Sequence, residues 1–213
     1  AVEPYPQPKS DADELKAAVD AALATIEAAK TGCILPAFTV SRFGLQAELT
    51  ALIEASGLPF ATTAMDKAAL SEAHPQYIGG YAGKFSPPNV VGAVEGCDVV
   101  INAGGVLFTD ISTAAFADNI DPAKMITIGI DYTQVDGRIY SNVRMRDMFV
   151  ELAAKVKKFT DVKLQRPAQA ELVGGPDDPI TQESLPARYQ RFFKPNDIVV
   201  AETGTSAVCV GGL

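Results

Sequence analysis

The sequence predicts a doubly wound α/β domain over about residues 10–160, followed by a linker and an incomplete second α/β domain. Two observations support this fold class. Helical and strand patterns alternate along the first part of the chain. The strand candidates are also continuous apolar runs rather than alternating ones, which is typical of a parallel sheet buried on both faces.

The chain begins with a proline-rich connector over residues 1–9, after which a helix is expected at once. Ser10, with Asp13 three residues later, is typical of a capping-box start. Gly32 is placed to end this helix. Its apolar residues share one face: Leu15, Val19, Ala22, Leu23 and Ile26.

The next elements alternate in type. Residues 33–39 predict a buried strand, and a second helix over residues 45–53 stops near Gly57. Residues 60–63 predict a short strand. The glycine-rich region 66–86 is interpreted as a long loop.

The remainder of the first domain repeats the alternation. Pro87 and Pro88 can start a short helix that runs through Val94. Residues 98–104 and 124–131 predict two further strands. A last amphipathic helix is marked by its apolar positions, Met145, Met148, Phe149, Leu152, Ala153 and Val156.

The pattern breaks after residue 160. Residues 161–183 predict an interdomain linker, and Ser184 opens a new helix. A strand over residues 198–201 then leads into a hydroxyl-rich turn. One helix and one strand cannot bury their own faces, so residues 184–213 indicate the start of a truncated second domain.

Charge and composition exclude several classes of protein. The net charge of −8 argues against a nucleic-acid or anionic-membrane partner, since both favour a basic surface. No signal peptide or membrane span is predicted. Cys33, Cys97 and Cys209 indicate buried free thiols in a reducing compartment, hence a cytoplasmic protein. One histidine and no CxxC motif predict no metal site.

The terminal turn is the first candidate site. Thr203, Thr205 and Ser206 follow a predicted strand and could present hydroxyl groups to phosphate oxygens or to polar ring atoms. The alternative is a plain helix N-cap by Thr205 or Ser206.

Other candidates follow earlier strands. Asn102 with Gly104, and Asp131, could contact a nucleotide at a strand end, although no GxGxxG motif joins a strand to a helix. Arg42 could hold a carboxylate, or could be an ordinary surface arginine. His74, the only histidine, is interpreted as packing in its loop.

Several segments, in this order, resemble the pyruvate decarboxylase family and its indolepyruvate, phenylpyruvate and branched 2-oxo acid relatives. They are TTAMDK (62–67), SEAHPQYIGGYAG (71–83), VEGCD (94–98), LFTDIST (107–113) and DIVVAETGTS (197–206). The likeness covers almost the whole chain. It implies a Rossmann-like central domain, followed by the first part of the domain that binds the cofactor diphosphate.

The resemblance also implies a cofactor, thiamine diphosphate with Mg²⁺, and places Thr203, Gly204 and Thr205 beside it in the full-length enzyme. The family's Gly-Asp-Gly magnesium motif is absent from this sequence, as is a counterpart of its first domain. The chain is therefore expected to be a piece of an enzyme that holds no cofactor and is inactive alone. No catalytic or metal-binding residue is predicted within it.

The family further implies a regulatory role for Arg42. In substrate-activated fungal members, the corresponding Ser-Arg follows a pair of cysteines near a regulatory pyruvate. Here Thr39 and Val40 occupy the preceding positions, so a thiol mechanism is unavailable. Carboxylate binding by Arg42 remains the candidate regulatory function.

The leading hypothesis is thus that the chain is a scaffold and regulatory part of a 2-oxo acid decarboxylase. Within that family, pyruvate decarboxylase is the favoured enzyme. The full-length enzyme would act on a 2-oxo acid as a homodimer or homotetramer, with the missing N- and C-terminal domains. The alternatives are an indolepyruvate or phenylpyruvate decarboxylase, a free-standing Rossmann-like FAD- or NAD-binding module, and a purely structural interaction unit.

Overall fold

The structure is a computed structural model that describes residues 8–109, 112–113, 115–162, 164–166, 169, 171–202, 204 and 210. The chain divides into two compact units, Ala1–Gln165 and Arg166–Leu213. The first unit contains a sheet with helices on both of its faces, and the described residues of the second include a helix.

The described strands form a single seven-stranded sheet with the spatial order β3-β2-β1-β4-β5-β6-β7. From β3 to β5 all neighbours are parallel, whereas β6 and β7 add an antiparallel hairpin at one edge. This confirms the predicted α/β class. The strands are β1 (Gly32–Pro36), β2 (Phe60–Thr62), β3 (Tyr77–Gly80), β4 (Val99–Ala103), β5 (Met125–Ile128), β6 (Tyr132–Val135) and β7 (Arg138–Ser141).

Helices cover both faces of the sheet because successive strand residues point to opposite sides. Ile34 belongs to the larger core with the helices that flank one face, while Leu35 belongs to a smaller core with α4 on the other. The helices are α1 (Ala12–Ala28), α2 (Phe38–Arg42), α3 (Gln46–Ser56), α4 (Pro88–Glu95), α5 (Met145–Lys155) and, in the second unit, α6 (Leu185–Phe192). None of the described helices is both long and apolar enough to cross a lipid bilayer.

The predicted boundaries of the first helix were wrong at both ends. Asp11, not Ser10, caps α1, since its carboxylate accepts hydrogen bonds from the backbone N–H groups of Asp13 and Glu14. The Ser10 hydroxyl instead donates to Asp147. Gly32 does not end the helix but opens β1, where a Cβ would lie 2.9 Å from Cγ1 of Val99. Close strand packing, rather than helix termination, explains this glycine.

Three strands were not predicted. The first, β3, lies inside the region interpreted as a loop, because two of its four residues are glycines and its apolar run is short. The others form the β6–β7 hairpin. Asp136 and Gly137 connect them with φ angles of +48° and +74°, the left-handed backbone that a two-residue hairpin turn requires.

In the second unit, the helix predicted from Ser184 is confirmed as α6. The strand predicted over residues 198–201 does not form. Ile198 and Val200 are each 93% exposed, and residues 198–200 pair with no strand in the described part of the chain. A strand needs a neighbour to satisfy its backbone groups, so an apolar pattern alone does not create one.

The cysteines were predicted to be buried and free. Cys33 and Cys97 are both so, and burial is the main cause that raises the pKa of each thiol, to about 11 for Cys97. Neither thiol is therefore poised as a nucleophile near neutral pH. Cys209 lies outside the described residues.

Candidate functional site

The carboxyl ends of β1 and β4 meet at the centre of the sheet, where the strand order reverses. In open α/β sheets, ligands bind in the crevice outside such a reversal. Here β1 leads into α2, and β4 leads into Gly104 and Gly105. This edge contains Arg42 and several other residues singled out from the sequence.

The chain's own atoms fill this crevice. The Thr39 hydroxyl on α2 donates a 2.6 Å hydrogen bond to the carbonyl of Gly104. Gly104 has a φ of +103°, and a Cβ built there would lie 2.5 Å from Oγ1 of Thr39. The glycine therefore serves close packing between α2 and β4, at the position where a nucleotide-binding domain would leave room for its ligand.

The other nucleotide candidates have structural roles. The Asn102 side chain is buried and holds the glycine turn, since its Oδ1 accepts from the Val106 amide at 2.6 Å and its Nδ2 donates to the Val106 carbonyl at 3.3 Å. Asp131 is largely exposed, and its Oδ2 lies 4.0 Å from Nη1 of Arg144. The structure does not bring Asn102 and Asp131 to a common ligand position.

A buried carboxylate at this edge, Asp66, belongs to the segment that the sequence predicts to be a loop, where packing rather than a binding role is expected. Its Oδ1 accepts the backbone N–H of Phe38, the first residue of α2, at 2.8 Å. Its Oδ2 accepts the Thr63 hydroxyl at 2.6 Å. Asp66 thus joins the loop after β2 to the start of α2. The Thr-x-x-Asp spacing was the available signal, because a hydroxyl and an acid three residues apart are typical of the start of a helical turn.

Asp66 gives a prediction for stability. Replacing it by alanine leaves the Phe38 amide and the Thr63 hydroxyl without their acceptor, which is expected to cost about 1–3 kcal/mol of unfolding free energy. Asp66→Asn is the matched control, because it retains an acceptor for the amide. Urea unfolding monitored by circular dichroism measures both variants. Equal stability of Asp66→Ala and the wild type would contradict the proposed anchoring of α2.

The same residue predicts a pH dependence. Burial is the main cause that raises the pKa of the Asp66 carboxyl, and its hydrogen bonds with Thr63 and Phe38 oppose the shift. A raised pKa contributes stability below the unfolded value of about 3.9, and this stability is lost as pH rises through the folded value. Asp66→Asn does not titrate, so its stability relative to the wild type should increase from about pH 4 to about pH 7. A constant difference would contradict this expectation.

Arg42 lies in the last turn of α2 and is exposed. Its guanidinium carbon is 5.0 Å from the centroid of the Phe38 ring, so the aromatic face supports the side chain while leaving it open to solvent. His74 packs in its loop as interpreted. Its Nδ1 accepts the Gln76 amide, and its ring lies 5.6 Å from that of Phe60.

Of the three residues predicted to bind the cofactor, the structure describes one. Thr203 and Thr205 lie outside the described residues. Gly204 is exposed, and among the described residues beyond its chain neighbours no atom lies within 4 Å of the position its Cβ would take. No group of three or more His, Cys, Asp or Glu side chains suited to a metal occurs in the described parts of the chain.

The fold and its packed central crevice define an α/β domain of Rossmann-like topology. The family model described as thiamine pyrophosphate enzyme, central domain, matches residues 19–155. The chain therefore belongs to the thiamine pyrophosphate enzymes, of which these residues form the central domain.

Individual relatives extend this likeness. The chain is 31% identical to pyruvate decarboxylase isozyme 1 of Saccharomyces cerevisiae over 93% of its own length and 36% of the relative's. It is 30% identical to the pyruvate decarboxylase of Candida albicans, over 78% of this chain and 30% of that one. It is 29% identical to the pyruvate decarboxylase of Hanseniaspora uvarum, over 93% of this chain and 36% of the relative. The chain thus spans about a third of the length of these relatives.

Proposed function

We propose that this chain is the central, scaffolding part of a thiamine-diphosphate-dependent, non-oxidative 2-oxo acid decarboxylase, a carbon–carbon lyase. The substrate proposed for the complete enzyme is pyruvate, which would yield acetaldehyde and CO₂. The observation that carries the proposal is the agreement of the relatives, which are named pyruvate decarboxylase and match nearly the whole chain.

The extent of that match supports a proposed domain organisation. The central-domain model ends at residue 155, whereas the match to the yeast enzyme covers 93% of the chain and so continues beyond it. We assign residues 1–9 to a connector, 10–160 to the central domain and 161–183 to an interdomain linker. Residues 184–213 begin the diphosphate-binding domain, in which Thr203, Gly204 and Thr205 would lie beside the cofactor.

The proposed division of labour follows from the chemistry. Thiamine diphosphate, when bound, would supply a carbon nucleophile and a sink for the electron pair that stays on the substrate carbon when CO₂ leaves. Within the central domain, Asp66 and Thr39 fix α2 at the carboxyl edge of the sheet. The cofactor and Mg²⁺ would then depend on the rest of a longer enzyme, a homodimer or homotetramer, and the chain alone would be inactive.

The alternatives differ in how well the structure supports them. A free-standing FAD- or NAD-binding module needs a central crevice open to a nucleotide, and the contact between Thr39 and Gly104 argues against that function. An indolepyruvate or phenylpyruvate decarboxylase remains an alternative, because substrate choice depends on parts of the enzyme beyond this chain.

Arg42 remains the proposed regulatory site for a carboxylate. Its exposure supports the proposal, since a small anion can approach the guanidinium from solvent while Phe38 supports its other face. Loss of carboxylate binding in an Arg42→Gln variant of the complete enzyme should alter the activation of that enzyme by its substrate.

The substrate assignment is tested with protein from the complete gene, supplied with thiamine diphosphate and Mg²⁺. Decarboxylation of pyruvate, indolepyruvate and phenylpyruvate is followed under the same conditions. The highest kcat/KM is expected for pyruvate. A higher value for either aromatic substrate would contradict the assignment, and the absence of turnover with all three would contradict the decarboxylase itself.

A further inference from the structure

A second candidate site lies at the carboxyl edge of the sheet, in a cavity of about 580 Å³ beyond the end of β5. The amino ends of α3 and α5 form its walls, together with the turn that follows α2. We name it the Arg144 cavity after the arginine that precedes α5. It is separate from the crevice that Thr39 and Gly104 close.

Arg144 has unused hydrogen-bonding capacity. Its Nε is buried and has no acceptor among the described residues. The nearest acidic group to its guanidinium is Oδ2 of Asp131, 4.0 Å from Nη1. A charge-assisted hydrogen bond between such groups is usually about 2.7–2.9 Å long, so this contact is a weak one. Although Nε itself is closed to solvent, the side chain is 26% exposed and Nη1 makes only this long contact within the described part of the chain, so the outer end of the guanidinium can meet an anionic ligand.

Of the two carboxylates that line the cavity, Glu48 is paired with a cation, whereas Asp147 accepts a hydroxyl and keeps its negative charge. Oε1 of Glu48 lies 3.0 Å from Nε of Arg146, and Oδ2 of Asp147 accepts the Ser10 hydroxyl. Lys9 adds a further positive charge to the lining. Arg144 is consequently the group in the lining best placed to bind an incoming anion.

The rim of the cavity is partly apolar. Phe43 and Ile130 both line it, and they are 54% and 43% exposed. An arginine beside two exposed apolar side chains suits a ligand with a carboxylate at one end and a short apolar body at the other. We propose that the Arg144 cavity binds a small monocarboxylate, whose carboxylate contacts Arg144 and whose apolar end contacts Phe43 and Ile130.

The identity of the natural ligand as a 2-oxo acid rests on the proposed function, but the binding chemistry does not. A monocarboxylate held here would occupy a site different from Arg42, which lies on α2 and does not line the cavity. Binding can be measured on this chain without catalysis, so its failure and the failure of the decarboxylase proposal are distinguishable.

The test is an NMR titration of the ¹⁵N-labelled chain with pyruvate, observing the arginine Nε–Hε signals and the backbone amide of Ile130. Saturable shifts of the Arg144 and Ile130 signals are expected. Methyl pyruvate, which lacks the carboxylate, and inorganic phosphate, which lacks the apolar body, are expected to bind at least tenfold more weakly. Equal affinity for either probe would overturn the proposed ligand class.

Variants locate the site. Arg144→Gln should weaken pyruvate binding at least tenfold, whereas Arg138→Gln, which changes an exposed arginine on β7 outside the cavity lining, should leave the Ile130 shifts unchanged. Asp131→Asn removes the weak competitor of the ligand and should tighten binding severalfold. Thermal unfolding confirms that each variant folds. Unchanged Ile130 shifts in Arg144→Gln, or loss of those shifts in Arg138→Gln, would overturn the proposal.

Discussion

Replacing Phe149 by alanine is expected to lower the unfolding free energy of the central domain by about 3–5 kcal/mol. Phe149 lies on α5, is 0% exposed and belongs to the larger hydrophobic core, to which α3 contributes Leu49 and Leu52. Removing the ring loses its transfer free energy and leaves a cavity that the surrounding helices and strands can only partly fill.

Chemical denaturation of the chain measures this effect, and the next residue supplies the control. Val150 is on the same helix but is 48% exposed, so Val150→Ala should change the unfolding free energy by only about 0.5 kcal/mol. A loss smaller than about 1 kcal/mol for Phe149→Ala would show that α5 does not pack on this core as described.

The second large effect is expected at Gly104, where alanine should cost roughly 2–4 kcal/mol of unfolding free energy. Two causes act together. A φ of +103° is strained for any residue with a side chain, and the new Cβ would lie 2.5 Å from the Thr39 hydroxyl. Either the helix or the strand end must move to admit the methyl group.

Gly105→Ala separates the two causes. Gly105 also has a positive φ, +78°, but no atom of the described residues beyond its chain neighbours lies within 4 Å of the position of its Cβ. Its substitution should therefore cost only the backbone strain, about 1 kcal/mol. The double variant Thr39→Ala with Gly104→Ala should recover part of the loss. Equal costs at the two glycines would show that the central crevice is open rather than packed.

The parallel part of the fold could be predicted because burial on both faces leaves continuous apolar runs in the sequence. The run at residues 98–104 became β4, and the pattern beginning at Met145 became α5. The hairpin was missed although Asp136-Gly137 is a strong turn signal, because the run before it had been assigned to a strand that ended at residue 131.

The site was harder to predict because its contacts join distant parts of the chain. Asp66 meets Phe38 across 28 residues, and Thr39 meets Gly104 across 65. No local pattern encodes such pairs. The cavity at Arg144 depends likewise on the packing of two helix ends and a turn. Arg42, in contrast, was found from a local motif, and the structure places it where a ligand can reach it.

The division of labour between this chain and the rest of the enzyme is the central claim, and calorimetric titration with thiamine diphosphate in the presence of Mg²⁺ tests it most directly. The complete protein and the 213-residue chain are titrated side by side. We expect saturable binding to the complete protein and none to the chain. Binding of equal affinity to the chain alone would contradict the account.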